Sequence, residues 1–318
     1  MKQRPKLLLL LPLLTLTLVA GLLMNSASAH AASSQALQST PAFFLAQGGA
    51  PTSGGPTTSN LIYHGGPVMA GEMQAYAIFW EPGGSFVSAT YNKLLKRFLR
   101  DIGDSKLYEN NEQYTDTSGQ APTGAELAGT FVDTSPYPST PFLQDSDIRN
   151  EVTHAMSVKG WMPGITHLFL VYTALNEFIC SSFLRTCSAP IGHTCGYHFG
   201  FGTPAGVVLY AALPYAGNSL TQCYGLSGSP NHDATADAEI NITSHELIEA
   251  ATDPAGTGWF GPGGFSDEIG DKCIGVFGPL NENGADVSFK GHHYIVQEEW
   301  DNTAHGCVLS GPTHETAD

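Results

Sequence analysis

Positive charge is scarce in this chain: 13 lysines and arginines stand against 29 aspartates and glutamates. Three of those bases, Lys2, Arg4 and Lys6, lie in the first six residues, so beyond them ten bases face 29 acids, a formal charge near −19. Such a surface disfavours nucleic acid and anionic lipid, and suits cations or simple solubility. Long apolar runs are absent after Met24, where nothing approaches the roughly 20 residues of a membrane span. No Cys-x-x-Cys pair occurs, which argues against a thiolate zinc site. A Gly-x-Ser-x-Gly elbow is also missing, so a serine nucleophile is not indicated, and no internal repeat is visible.

What is present begins with an address. Lys2, Arg4 and Lys6, the apolar run from Leu7 to Met24 and the small residues Asn25-Ser26-Ala27-Ser28-Ala29 read as a secretory signal peptide over residues 1–31. Residues 32–60, rich in Ala, Ser, Thr, Gly and Gln, read as a flexible spacer or pro-segment. Residues 61–311 suffice for a single globular domain, followed by a tail at 312–318. The expected product is secreted, monomeric and free of membrane once the signal is removed. Its cysteines, Cys180, Cys187, Cys195, Cys223, Cys273 and Cys307, are even in number and bound for an oxidising compartment, which implies three disulfides. Sequence alone allows about fifteen pairings; joining neighbours, Cys180 to Cys187, Cys195 to Cys223 and Cys273 to Cys307, closes the shortest loops.

Periodicity predicts helices over 91–102, 146–158 and 233–252, the second capped by Asp145 or Ser146 and the third stopped by Pro254. Strands are predicted at 73–80, 107–114, 128–132, 167–172, 197–202 and 207–213. A hairpin is expected from 286–289 to 294–297 across Lys290-Gly291-His292-His293. His167-Leu168-Phe169-Leu170-Val171-Tyr172 is apolar without alternation, the mark of a strand buried on both faces. The fold class that follows is α/β (α+β): a mixed sheet with packed helices, one of them long and zincin-like.

That long helix carries Ser244-His245-Glu246-Leu247-Ile248-Glu249. His245 and Glu249 are one turn apart and leave the same face, so both can donate to one ion. Glu246 lies beside them, as the general base does in the His-Glu-x-x-His zinc-peptidase helix, with Glu249 in place of the second histidine. A catalytic zinc needs a third protein donor. Glu268, nineteen residues after Glu249, has close to the gluzincin spacing, and Asp271 resembles the aspartate that orients a ligand histidine. Asp253 is the rival ligand, although an Asp-Pro turn that ends the helix explains it more simply. His292 is a candidate donor to an oxyanion, with His293 and Tyr294 beside it. His193, His198 and His232 could serve a second ion, but lone histidines are usually surface or packing residues.

Four stretches together resemble a known family. Tyr63-His64-Gly65-Gly66-Pro67-Val68-Met69, the helix from His245 to Pro254, Glu268-Ile269-Gly270-Asp271-Lys272-Cys273, and Val296-Gln297-Glu298-Glu299-Trp300 to Cys307 are similar to the phosphate-induced, EXORDIUM-like secreted proteins of plants and their bacterial relatives. The resemblance touches most of residues 61–308 and implies an extracellular, cell-wall-associated protein, but it supplies no reaction. Residue chemistry supplies one: a secreted zinc-dependent hydrolase of the metallopeptidase kind, acting on a peptide or cell-wall-associated substrate through water activated at the ion, with Glu246 as base. The alternative is a non-catalytic EXORDIUM-like protein in which the same residues hold a structural metal or a polar network.

Overall fold

The computed structural model describes residues 42–45, 59–138, 142–182, 184–224 and 228–311; the expected signal peptide and the 312–318 tail lie outside them. At its centre is a six-stranded sheet of β1 (Ala42–Leu45), β2 (Gly71–Trp80), β3 (Pro122–Asp133), β4 (His167–Tyr172), β5 (Thr194–Thr203) and β6 (Gly206–Leu213), in the order β1-β5-β6-β4-β2-β3. From β3 to β6 the neighbours are parallel, while β5 runs antiparallel to both β6 and β1. The strand β1 arises inside the stretch expected to be spacer and pairs Ala42 opposite His198.

Helices cover both faces, which is why the central strands are apolar throughout. Along β2, Met73, Ala75, Ala77 and Phe79 point into one core with α1 (Tyr91–Asp101) and α3 (Ala234–Thr252), whereas Ile78 and Trp80 point into a second core with α2 (Asp145–Lys159). These are the α/β elements the periodicity predicts, with an N-cap one residue earlier at α2. There Gln144 is the cap, and its backbone N–H donates to Asp147 at 2.8 Å. Every residue of α3 from Ala236 to Thr252 is buried. A helix covered on all sides needs no polar stripe, and α3 is covered by the sheet, by α1 and by the loops that follow it. Among the described residues no helix is long and apolar enough to cross a membrane.

Two predicted elements differ from those found. Residues 107–114 form helical turns, Lys106–Glu109 and Asn110–Gln113, because the Ser105 hydroxyl caps the first turn by accepting the Tyr108 N–H at 3.1 Å. The hairpin is tighter than expected: Val287–Phe289 pairs with His292–Tyr294 across a two-residue turn, Lys290-Gly291. Both turn residues take positive φ, 49° and 82°, which matches the twist of the flanking strands.

All three disulfides join neighbours in the cysteine order: Cys180–Cys187, Cys195–Cys223 and Cys273–Cys307. Asn302 forms a clasp between the two ends of the fold. Its carboxamide accepts from the Leu61 N–H at 2.8 Å and donates to the Leu61 carbonyl at 2.9 Å, while its own carbonyl accepts from Asn60 at 3.0 Å.

On the inner side of α2, burial and the nearby charge of Asp133 push the Glu151 carboxyl up to about 9. The folded chain therefore holds a proton there that the unfolded chain releases near pH 4.5, so folded binds more protons than unfolded between these values and stability falls as pH rises through that window. Glu151→Gln is expected to flatten the slope and to raise the unfolding midpoint at pH 8 by roughly 2–6 °C. Thermal scans at pH 6 and pH 8 check this; parallel slopes for parent and variant would refute it.

Candidate metal centre

The long helix delivers its two donors as the spacing requires: His245 Nε2 lies 3.1 Å from Glu249 Oε1. Glu246 turns toward the sheet, where its Oε2 is 3.1 Å from His198 Nδ1, and Glu249 Oε2 is 3.7 Å from the same nitrogen. His198 reaches them because β5 packs against α3, and the alternation of that strand turns Gly196 and His198 toward the helix while Tyr197 enters the opposite core. Just past the helix, Asp253 accepts the Thr257 and Gly258 N–H groups, both at 2.6 Å, and its backbone carbonyl meets His198 Nε2 at 3.2 Å. Asp253 is thus the turn-former at the helix end, with its carboxyl beside Glu268.

The loop after the helix closes the cluster. Glu268 Oε1 stands 4.0 Å from His198 Nε2, and Asp271 Oδ1 stands 4.0 Å from His245 Nε2. The Asp271 N–H donates to Glu249 Oε1 at 3.0 Å. Gln297 pins the loop by donating to the Gly270 carbonyl at 2.8 Å, and its own N–H donates to Asn241 of the helix at 2.7 Å. Glu299 stands behind, fully buried, with no hydrogen-bond partner among the described residues for either carboxylate oxygen. Gly270 is required by the close approach of this loop: a Cβ there would lie 2.5 Å from His245 Nδ1 and 3.1 Å from Glu249 Oε1. Gly270→Ala is therefore expected to push both side chains apart and cut metal affinity at least tenfold, as losses around ligands commonly do. Metal titration of the purified variant checks it, and unchanged affinity would show that the loop moves freely.

The electrostatics of this cluster are unusual for a protein interior. His245, Glu246, Glu249, Asp253, Glu268 and Glu299 are each 0% exposed and His198 is 2% exposed. Burial, then the neighbouring carboxylates, raise the carboxyls of Glu249, Glu268 and Asp271 well above the usual range. Burial does the same for Glu299, with Glu249 and Asp271 adding to it. Burial lowers the His245 imidazole, against the pull of Glu246 and Asp271, which favours the neutral ring that ligates metals. Gathering this many carboxylates away from water is costly unless protons or a cation compensate.

Among the described residues, two sets of three can each offer one ligating atom per residue with those atoms within 4.8 Å of one another: His198, Glu246 and Glu249, and His245, Glu249 and Asp271. His245, Glu249 and Glu268, the triad expected from spacing, thus fall in one buried cluster, but Glu268 faces His198 and Asp253 while Asp271 lies against His245. Glu246 sits as a donor beside His198. His292 belongs elsewhere: on the hairpin, its Nδ1 is 2.7 Å from Asp101 Oδ2 of α1. His198 is the residue that sequence reasoning undervalued, and the alternation around Gly196 and His198 was the signal available for it.

The chain is 26% identical over 298 residues to Protein EXORDIUM-like 3 of Arabidopsis thaliana, covering 79% of this chain and 84% of that protein. To Protein EXORDIUM-like 5 of the same plant it is 24% identical over 308 residues, covering 80% and 79%. These similarities support the EXORDIUM-like resemblance over most of the chain's length. No family model matches the chain, and no solved structure does.

Proposed function

We propose that this is an extracellular, EXORDIUM-like protein whose fold is locked by a divalent cation, zinc being the best fit, held between the sheet and the long helix by His198, Glu246 and Glu249. The observation that carries the reading is the complete burial of this imidazole and carboxylate set together with further carboxylates that no solvent screens. Mixed nitrogen and oxygen donors suit zinc among common ions. When bound, the cation supplies the positive charge that lets these groups remain ionised in the core. His198 ties β5 to α3, Glu246 and Glu249 fix the helix, and the Asp271 N–H holds Glu249 in place. Three disulfides fit an exported protein, as does the resemblance.

Metal content of the secreted protein, measured by mass spectrometry beside His198→Ala, tests the reading. Bound zinc in the parent, reduced in the variant, is expected. A parent that stays metal-free after incubation with zinc overturns it.

One observation favours a second reading, the hydrolase. Strand β1 shows that an extended backbone fits along β5 directly opposite His198, so a peptide could lie beside Glu246 once β1 is displaced. Peptide cleavage by a chain beginning at Asn60, abolished by Glu246→Gln, would establish it; inactivity toward a broad peptide library would leave the structural role.

A further inference from the structure

We propose that the centre binds two divalent cations, bridged by the carboxylate of Glu249. The inference rests on the reading above that the cluster holds a cation, and it goes further in number and arrangement.

The donors do not gather round one point. They form two sets that share Glu249 alone, and its two oxygens diverge. Oε1 faces His245 at 3.1 Å, on the side where Asp271 lies, while Oε2 faces His198 at 3.7 Å, on the side of Glu246. A carboxylate with one oxygen turned to each of two donor sets has the disposition of a bridge. Each set also contains one imidazole, Nδ1 of His198 and Nε2 of His245, so each offers a nitrogen and two carboxylate oxygens, a common complement for zinc. Asp271 is therefore a ligand in its own right and not only a support for His245.

A buried group outside both sets points the same way. Glu299 is fully buried, has no hydrogen-bond partner among the described residues for either oxygen, and lies close enough to Glu249 and Asp271 for their charges to act on it. It stands as a further oxygen donor beside the second set. A second dication would also supply positive charge where Glu249, Asp271 and Glu299 lie buried together with little water to screen them.

The test is stoichiometry. The secreted protein, stripped by chelator and refilled by equilibrium dialysis against zinc, is expected to take up two ions per chain. Asp271→Asn is expected to take up one, as is His198→Gln, with circular dichroism confirming that each variant is folded. Loaded with cobalt(II) instead, the parent is expected to show magnetic coupling between its two ions, and Asp271→Asn is expected to lose it. One ion per chain in the parent overturns the bridge and leaves the single-cation reading standing. No ion in the parent overturns that reading as well.

Discussion

Chelation at pH 7.5 is expected to lower the thermal midpoint of this protein by roughly 8–16 °C. The magnitude follows from mass action. A ligand present at about a thousand times its dissociation constant stabilises the state that binds it by about 4 kcal/mol, and a domain of this size shifts by roughly 2–4 °C per kcal/mol. The stripped protein should also respond to pH in a particular direction. Its buried carboxylates, Glu249, Glu268, Asp271 and Glu299, have folded pKa values raised above the ordinary range. Without cations the folded chain binds more protons than the unfolded chain, so its stability should fall as pH rises above the ordinary carboxylate range. The loaded protein should show the opposite trend between about pH 5 and 7, because its ligands must shed protons to bind. Calorimetry of both forms across pH 5–8 distinguishes them; identical midpoints and slopes would mean that the core tolerates its carboxylates without a cation.

Removing the Cys273–Cys307 disulfide by a double serine substitution should cost about 4 kcal/mol, from the chain entropy of a loop spanning 34 residues. Here the loss extends beyond the unfolded state. Cys273 is buried at the end of the segment that presents Glu268 and Asp271, and the Trp300 N–H donates to the Ile269 carbonyl at 2.9 Å from the strand Glu299–Asp301, paired with Gly306–Val308 that carries Cys307. The same variant should therefore bind metal more weakly than the parent, while opening Cys180–Cys187, whose partners are only seven residues apart in sequence, should leave metal binding unchanged. Denaturant unfolding and zinc titration of both variants check the pair. Equal metal affinity in all three proteins would separate the disulfide from the site.

Much of this architecture is written in short-range pattern. The helices over Tyr91–Asp101, Asp145–Lys159 and Ala234–Thr252 announce themselves by spacing, and His245 with Glu249 follows from one helical turn. The disulfide pairing follows from loop length. His198 is harder to see because its role depends on which face of β5 meets the helix, and that is set by the sheet's order, a long-range property. The choice between Glu268 and Asp271 depends on how a glycine-rich loop folds back, where a three-residue offset rotates the carboxylate to another side of the cluster. Residues 107–114 illustrate the opposite problem: their apolar content is compatible with strand or helix, and the Ser105 hydroxyl that caps the helical turn is a signal outside that pattern.

The Asn302 clasp also determines how the molecule bears a load. Tension applied between Asn60, which follows β1, and Cys307 meets the Asn302 hydrogen bonds before it reaches any of the strands β2 to β6. Such a force is short-circuited at one corner, and strands β2 to β6 with the buried carboxylates beside them are mechanically shielded from it. Pulled between Asn60 and Cys307, the fold would yield first at the clasp while the centre stayed intact; pulled from the chain ahead of β1, it would instead load the β1–β5 pairing opposite His198.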